Sequence, residues 1–266
     1  MMCGIPFPAP RGFPSPRDVT HHHPLPPPTL FSLQGFGGGN VFANTVVWNM
    51  VRETGDHGPL NSWSRQPYWT RSGVDDGFHD PAGRSFIQAW DVNTNNFMLN
   101  GYNGVWTFDH DDCSQFVRDL NNFMVFGGCK NYLGDNKVCS SNMILYPGVG
   151  GRSQGDRRCQ TDDNGVFALQ YHTDNICTSA DGRFYSFSNC NATSDNLNTT
   201  VYHTQNNTLF ADAGATFEQD CAKALDFATW QALGQDAGSA TMATPPVAQL
   251  IALGAAKVLG GLEGPP

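Results

Sequence analysis

The stretch FDHDDCS, residues 108–114, places Asp109, His110, Asp111 and Asp112 in four consecutive positions between an aromatic residue and a cysteine. Three chemistries use such a set: carboxylate acid/base catalysis, cation ligation, and the capping of a polar turn. On a strand, alternation turns Trp106 and Phe108 inward and leaves Thr107, Asp109 and Asp111 outward. Asp109 and Asp111 then lie roughly 7 Å apart on one face, which suits the carboxylates of an inverting glycosidase and also shared Ca²⁺ ligation. Carboxylates that close repel, which favours one protonated and one ionised partner unless a nearby cation neutralises both.

The elements that position these residues are legible from an internal repeat. NNFMLNGYNGVWTFDHDDCS (95–114) aligns without gaps to NNFMVFGGCKNYLGDNKVCS (121–140), an offset of 26 residues. A looser copy follows at SSNMILYPG (140–148). Repeats with apolar doublets, aromatics and asparagine turns, but no helical period, predict a solenoid with one repeat per rung, a parallel β-helix. Equivalent residues of successive rungs then stack about 4.8 Å apart. Asn95 over Asn121 and Asn96 over Asn122 would form amide ladders, while Phe97 over Phe123 and Met98 over Met124 would fill the core. The same offset puts Cys113 over Cys139, within reach of a disulfide. It also stacks Asp109 on Asp135, His110 on Asn136 and Asp111 on Lys137, so a salt bridge up the stack is the structural alternative for Asp111.

A second polar cluster lies upstream in GDHG (55–58). Anchoring the rungs on Gly58 and Gly104 puts His57, Asn103 and Cys129 in one column, with Asp56, Tyr102 and Gly128 in the next. Glu53, Asp56, His57 and Lys130 then converge within about two rungs as an acid/base set for a sugar. Trp63, Tyr68 and Trp69 are available to stack on sugar rings.

Composition narrows the function classes. Of 266 residues only 15% are charged and the formal net charge is −9, with no Lys/Arg stripe, which argues against a nucleic-acid partner. Seven of the eight cysteines fall between Cys113 and Cys221 without the tight pairs of a zinc site, so disulfides and an extracellular or cell-surface location are expected. The sequons at Asn191, Asn198 and Asn206 are candidate glycosylation sites that agree with it. No run of 18 apolar residues is present to span a membrane, and the first residues carry no apolar signal-peptide core. Nine of the seventeen prolines lie between Pro6 and Pro28, so residues 1–34 read as a disordered segment. Residues 35–240 form the solenoid domain. Residues 241–266 form a helical tail, PVAQLIALGAAKVLGG, that caps the last rung or packs on its outside. With no cap before the first rung near Asn40, the solenoid is expected to be the C-terminal part of a longer chain.

RETGDHGPLNSWSRQPY (52–68), GVWTFDHDDCS (104–114), GGCKNYLG (127–134) and TWQALGQDAGS (229–239) resemble right-handed parallel β-helix proteins of the pectate-lyase-like group. The likeness covers about residues 40 to 240. It implies an all-β, right-handed parallel β-helix with a short C-terminal helix and a carbohydrate substrate, since the group holds polygalacturonases, pectate and alginate lyases, uronate epimerases and noncatalytic tailspike and adhesin proteins. Two departures matter. The GDHG and Asp111–Asp112 elements stand in the reverse of their polygalacturonase order with no Arg-Ile-Lys element, and FDHDD lacks the proline of the epimerase motif.

The expectation is therefore a glycoside hydrolase acting on a polysaccharide. Asp109, Asp111 and Asp112 supply acid and base, His110, His57 and Glu53 complete the catalytic set, and Asp56, Arg65, Lys130, Trp63 and Asn103 contact substrate. No cofactor is required, although Ca²⁺ is compatible with the acids. A lyase or epimerase that neutralises a uronate through Lys130 or Arg65 is the second enzymatic option, which the acidic charge disfavours. A noncatalytic glycan-binding or cell-surface solenoid is the alternative from another class. Sugar, linkage and oligomeric state are left open.

Overall fold

The computed structural model of the chain describes residues 31–32, 39–51, 57–63, 90–101, 106–111, 114–132, 136–148, 158–163, 170–179, 181–188, 202–212, 216–219 and 223–260. The described residues are mostly β, in three sheets that the chain visits in turn. Sheet A contains Phe31–Ser32, Leu60–Trp63, Trp106–Asp111, Gly128–Tyr132, Gln160–Asp163, Arg183–Ser188, Thr216–Gln219 and Lys223–Asp226. Sheet B contains Val41–Ala43, Asp91–Thr94, Val117–Leu120, Lys137–Ser140, Gln170–Thr173 and Tyr202–Gln205. Sheet C contains Val46–Met50, Phe97–Gly101, Phe123–Val125, Met143–Leu145, Ile176–Ser179, Thr208–Ala211 and Ala240–Met242. Each circuit adds one parallel strand to each sheet, an arrangement compatible with a parallel β-helix. Only the last strand of sheet A, Lys223–Asp226, pairs antiparallel among the described residues.

The turn from sheet B to sheet C is the most regular part of each circuit. Asn44, Asn95, Asn121, Ser141, Asp174 and Asn206 all occupy it with φ between 54° and 59°, the left-handed region that Asn and Asp tolerate best among non-glycine residues, and Gly238 (φ 75°) takes the equivalent place in the last circuit. The next residue points inward, and over five circuits it is asparagine: Asn96, Asn122, Asn142, Asn175 and Asn207, each at most 1% exposed. Each of these asparagines accepts on its side-chain oxygen the backbone N–H of the residue one circuit earlier, beginning at Thr45. The amide ladder expected at Asn96/Asn122 is present and longer than the repeat indicated. Beside it, Asn121 donates to Asn95 at 2.6 Å.

The 26-residue offset holds in sheets B and C, where Asp91 pairs with Val117 and Phe97 with Phe123. It fails in sheet A, where Phe108 pairs with Cys129 and Asp109 with Lys130. Four residues separate Gly101 from Trp106 but only two separate Val125 from Gly128, so a gapless alignment misregisters everything after the sheet C to sheet A connection. Asp109, His110 and Asp111 therefore do not stack on 135–137. The disulfides follow the true register: Cys139 pairs with Cys129 across the interior (Cα–Cα 6.7 Å), not with Cys113, and Cys159 pairs with Cys177 (Cα–Cα 6.3 Å).

The interior holds Met98, Met124, Ile144, Cys177 and Leu209 from sheet C against Leu60, Phe108, Cys129 and Tyr185 from sheet A. Phe97 and Phe123 face the other way. They lie on the outside of sheet C in a separate cluster with Met143, Leu145 and Phe210, under helix α2 (Val247–Gly260), which buries Leu250, Gly254 and Val258 there. Gly254 is a point of close approach, because a Cβ would overlap the Phe123 ring. The helix predicted near 246–261 thus packs on the outside. Helix α1 (Phe227–Ala232) brings Trp230 into the core at the end of the last circuit, where its indole stacks on Phe217 (centroids 5.4 Å) and donates to the buried Asp236 at 2.7 Å. No helix among the described residues is long and apolar enough to cross a membrane.

Candidate functional site

On the outer face of sheet A, Asn61, Asp109 and Lys130 occupy one register column. Asp109 is fully buried, and its carboxylate accepts the Gly58 backbone N–H at 3.2 Å and the Asn61 amide at 3.0 Å on one oxygen. Its other oxygen faces the Lys130 Nζ at 2.9 Å, and the same ammonium lies 3.2 Å from Asp111. Glycine is needed at 58 because a Cβ would stand 2.8 Å from the Trp106 carbonyl and 3.0 Å from the Asp109 Cβ. Burial alone would lower the Lys130 pKa, but the Coulombic pull and hydrogen bond of Asp109, joined by Asp111, outweigh it and raise the pKa. Lys130 is thus held as a cation between two carboxylates.

A register shift at Gly128/Cys129 leaves Thr107 without a partner in the ladder with Gly128–Tyr132. It changes the expected facing of Trp106, which is buried but lies outside the core cluster, with Lys130 4.2 Å above its ring. The half-buried His57 and Asp111 complete the group. One ligand atom from each of His57, Asp109 and Asp111 falls within 4.8 Å of the others, and Nδ1 of His57 is buried without a hydrogen-bond partner. These are donors suited to a divalent cation, but the Lys130 ammonium already supplies the positive charge at both carboxylates. Asp111, whose side chain is 24% exposed, is the carboxylate of the pair that faces solvent.

His110 is not on this face. It points into the coil, 1% exposed, with Ser62 Oγ at 2.6 Å from Nδ1 and Asp119 at 2.8 Å from Nε2. Ser62, His110 and Asp119 have the connectivity of a nucleophile, base and orienting acid, but each is at most 4% exposed, so the trio is an interior hydrogen-bond chain. Lys137, the partner expected for Asp111, is also inside and donates to the His110 carbonyl at 3.0 Å. The column expected to unite His57, Asn103 and Cys129 is replaced by Asn61, Asp109 and Lys130. His57 and Lys130 do reach the same site, through Asp109.

Glu53, Asp56, Arg65, Asn103, Asp112, Cys113, Asn191 and Asn198 lie outside the described residues, as does the Trp63 side chain, although the Trp63 backbone pairs with Asp111. Asn206 is exposed at its turn. Asn61 and the Gly58 N–H were invisible to sequence reasoning, because no repeat spans their 48- and 51-residue separations from Asp109. Comparison with known proteins finds no matching family model, no matching curated protein and no matching solved structure.

Proposed function

We propose that the chain is a secreted parallel β-helix protein of the pectate-lyase-like kind that hydrolyses a polysaccharide glycosidic bond, with Asp111 and His57 as acid and base. The observation that carries this is their convergence on the solvent side of a fixed, buried Asp109–Lys130 pair. Asp109 is held by Gly58 and Asn61 on one oxygen and by the Lys130 charge on the other and has no exposed surface, so its role is to position Lys130 and, through it, Asp111. The acid/base work expected of Asp109 and Asp111 together passes to Asp111 and His57, one ring nitrogen of which lies within 4.8 Å of an Asp111 carboxylate oxygen. Two internal disulfides among the described residues and three sequons support an oxidising compartment.

A second reading has its own support. Lys130 already pairs with both Asp109 and Asp111, and a noncatalytic glycan-binding solenoid would need these acids only for its architecture. Secreted full-length protein is incubated with a glycan panel while reducing ends and unsaturated products are followed. Hydrolysis predicts new reducing ends without unsaturation, falling by at least ~100-fold in Asp111→Asn and in His57→Ala. Unsaturated products would indicate a lyase, binding without turnover would favour the noncatalytic solenoid, and turnover indifferent to both substitutions would remove these residues from catalysis.

A further inference from the structure

We infer that helix α2 is the contact through which two copies of the chain associate, row against row about a two-fold axis. The helix uses one row at i+4 spacing, Leu250, Gly254 and Val258, to pack on the outside of sheet C. The adjacent row on the same cylinder is Val247, Ile251, Ala255 and Leu259. Val247, Ile251 and Leu259 are each more than half exposed, and Ala255 is half-buried. A helix that is apolar on more than its core-facing side belongs in an interior; sheet C covers the first row and leaves the second at the surface.

The chemistry of the exposed row chooses its occupant. Within Val247–Gly260 the one charged side chain is Lys257, half-buried within Coulombic reach of Asp174. A partner recognised through opposite charge would find nothing to grip on this row. A lipid surface is bound by helices that carry several Lys or Arg along the polar face, which α2 lacks. A second copy presents a matching row by symmetry. Rows at i+4 spacing interdigitate with one another at about −50°, and a two-fold axis near the middle of the row sets Ile251 and Ala255 against the same residues of the other copy. The formal net charge of −9 makes two copies repel at long range, and the uncharged row lets them touch without bringing like charges together. A row along one 14-residue helix, about 21 Å long, falls short of the roughly 800 Å² per partner of a stable interface, so the pair exchanges with monomer.

The test is sedimentation equilibrium of the full-length protein from about 1 to about 500 μM, at low and high salt. A monomer–dimer equilibrium should fall within that range and shift toward dimer as salt screens the repulsion. Ile251→Glu should raise the dissociation constant by at least ~10-fold, because a carboxylate would be buried without a partner, and Leu259→Glu should act in the same direction. Gln249→Glu, exposed on the far side of the helix from this row, should leave the equilibrium unchanged, with the urea midpoints of all three variants showing that the fold is retained. A chain that is monomeric throughout, or a dimer as strong in Ile251→Glu as in the unmodified protein, would overturn the contact. A monomer that binds phosphatidylcholine vesicles, and loses that binding in Ile251→Glu, would overturn it in favour of a lipid surface.

Discussion

Asn122 grips a single oxygen of Asn142 twice: its backbone N–H donates to Oδ1 of Asn142 at 2.9 Å and its side-chain amide donates to the same atom at 3.0 Å. The Asn122 amide also reaches the Asn93 carbonyl, and its own Oδ1 receives the backbone N–H and amide of Asn96. One residue thus satisfies polar groups from three circuits, all out of contact with water.

Replacing Asn122 with alanine should therefore destabilise the fold by about 2–4 kcal/mol, since the Asn96 N–H and the Asn93 carbonyl are both stranded in the interior. Asn95→Ala, at the outer position of the same turn, should lose only about 1 kcal/mol, chiefly the strain of an alanine in the left-handed region. Urea midpoints of the two variants check the ranking, and equal losses would show that the inner ladder has no special weight.

Lys130→Met removes the shared cation and leaves buried Asp109 facing Asp111 without a counter-charge. The expected loss is about 3–5 kcal/mol. Adding Asp109→Asn to that variant should recover a large part, because the uncompensated buried charge is gone. A double-mutant cycle measured by chemical denaturation tests this, and additive losses would contradict the ion-pair account.

Burial lowers the pKa of His172 from 6.5 to about 3. Its Nδ1 lies 3.2 Å from Gln160 and its Nε2 has no partner, with the Tyr185 ring edge-on at 5.3 Å. The folded state thus holds the imidazole neutral while the unfolded chain binds a proton below pH 6.5. Stability is highest above that value and falls with pH through the window down to about 3, by up to about 1.4 kcal/mol per pH unit for this group. Asp91 and Asp236, whose pKa values are raised chiefly by burial, act in the opposite sense. The comparison is therefore between the unmodified protein and His172→Asn, whose loss of stability from pH 7 to pH 5 should be the shallower.

Peptide mapping without reduction should recover Cys129 joined to Cys139 and Cys159 joined to Cys177. Loss of the first bond in Cys139→Ser should destabilise by about 2–4 kcal/mol. A Cys113–Cys139 peptide as the main species would show that sheet A is registered as the gapless repeat implies.

Gly254→Leu should displace helix α2 from Phe123 without unfolding the sheets, because the helix packs on their outer cluster and not on the interior one. Hydrogen exchange should show lost protection confined to Val247–Gly260 and the strand Phe123–Val125. Protection lost throughout sheets A and B would mean that the helix is integral to the coil.

What the sequence determined by itself was local. The pairs Asn95–Asn96 and Asn121–Asn122 carried the sheet B to sheet C turn, because tolerance of positive φ and a side chain able to bridge strands belong to the residue. Alternation likewise placed Phe108 inside and Asp109 and Asp111 outside, since the period of a strand is a backbone property. What the tertiary structure decided was the neighbour on the next circuit. Connections between sheets C and A vary in length, and loop closure depends so weakly on length that nothing in the local pattern reveals an insertion. For that reason Asp109 meets Lys130 and Asn61 and Cys139 meets Cys129, where the repeat had pointed to Asp135 and Cys113. Only the paired strands set which charges share a face, and so which of Asp109, His110 and Asp111 reaches solvent beside His57.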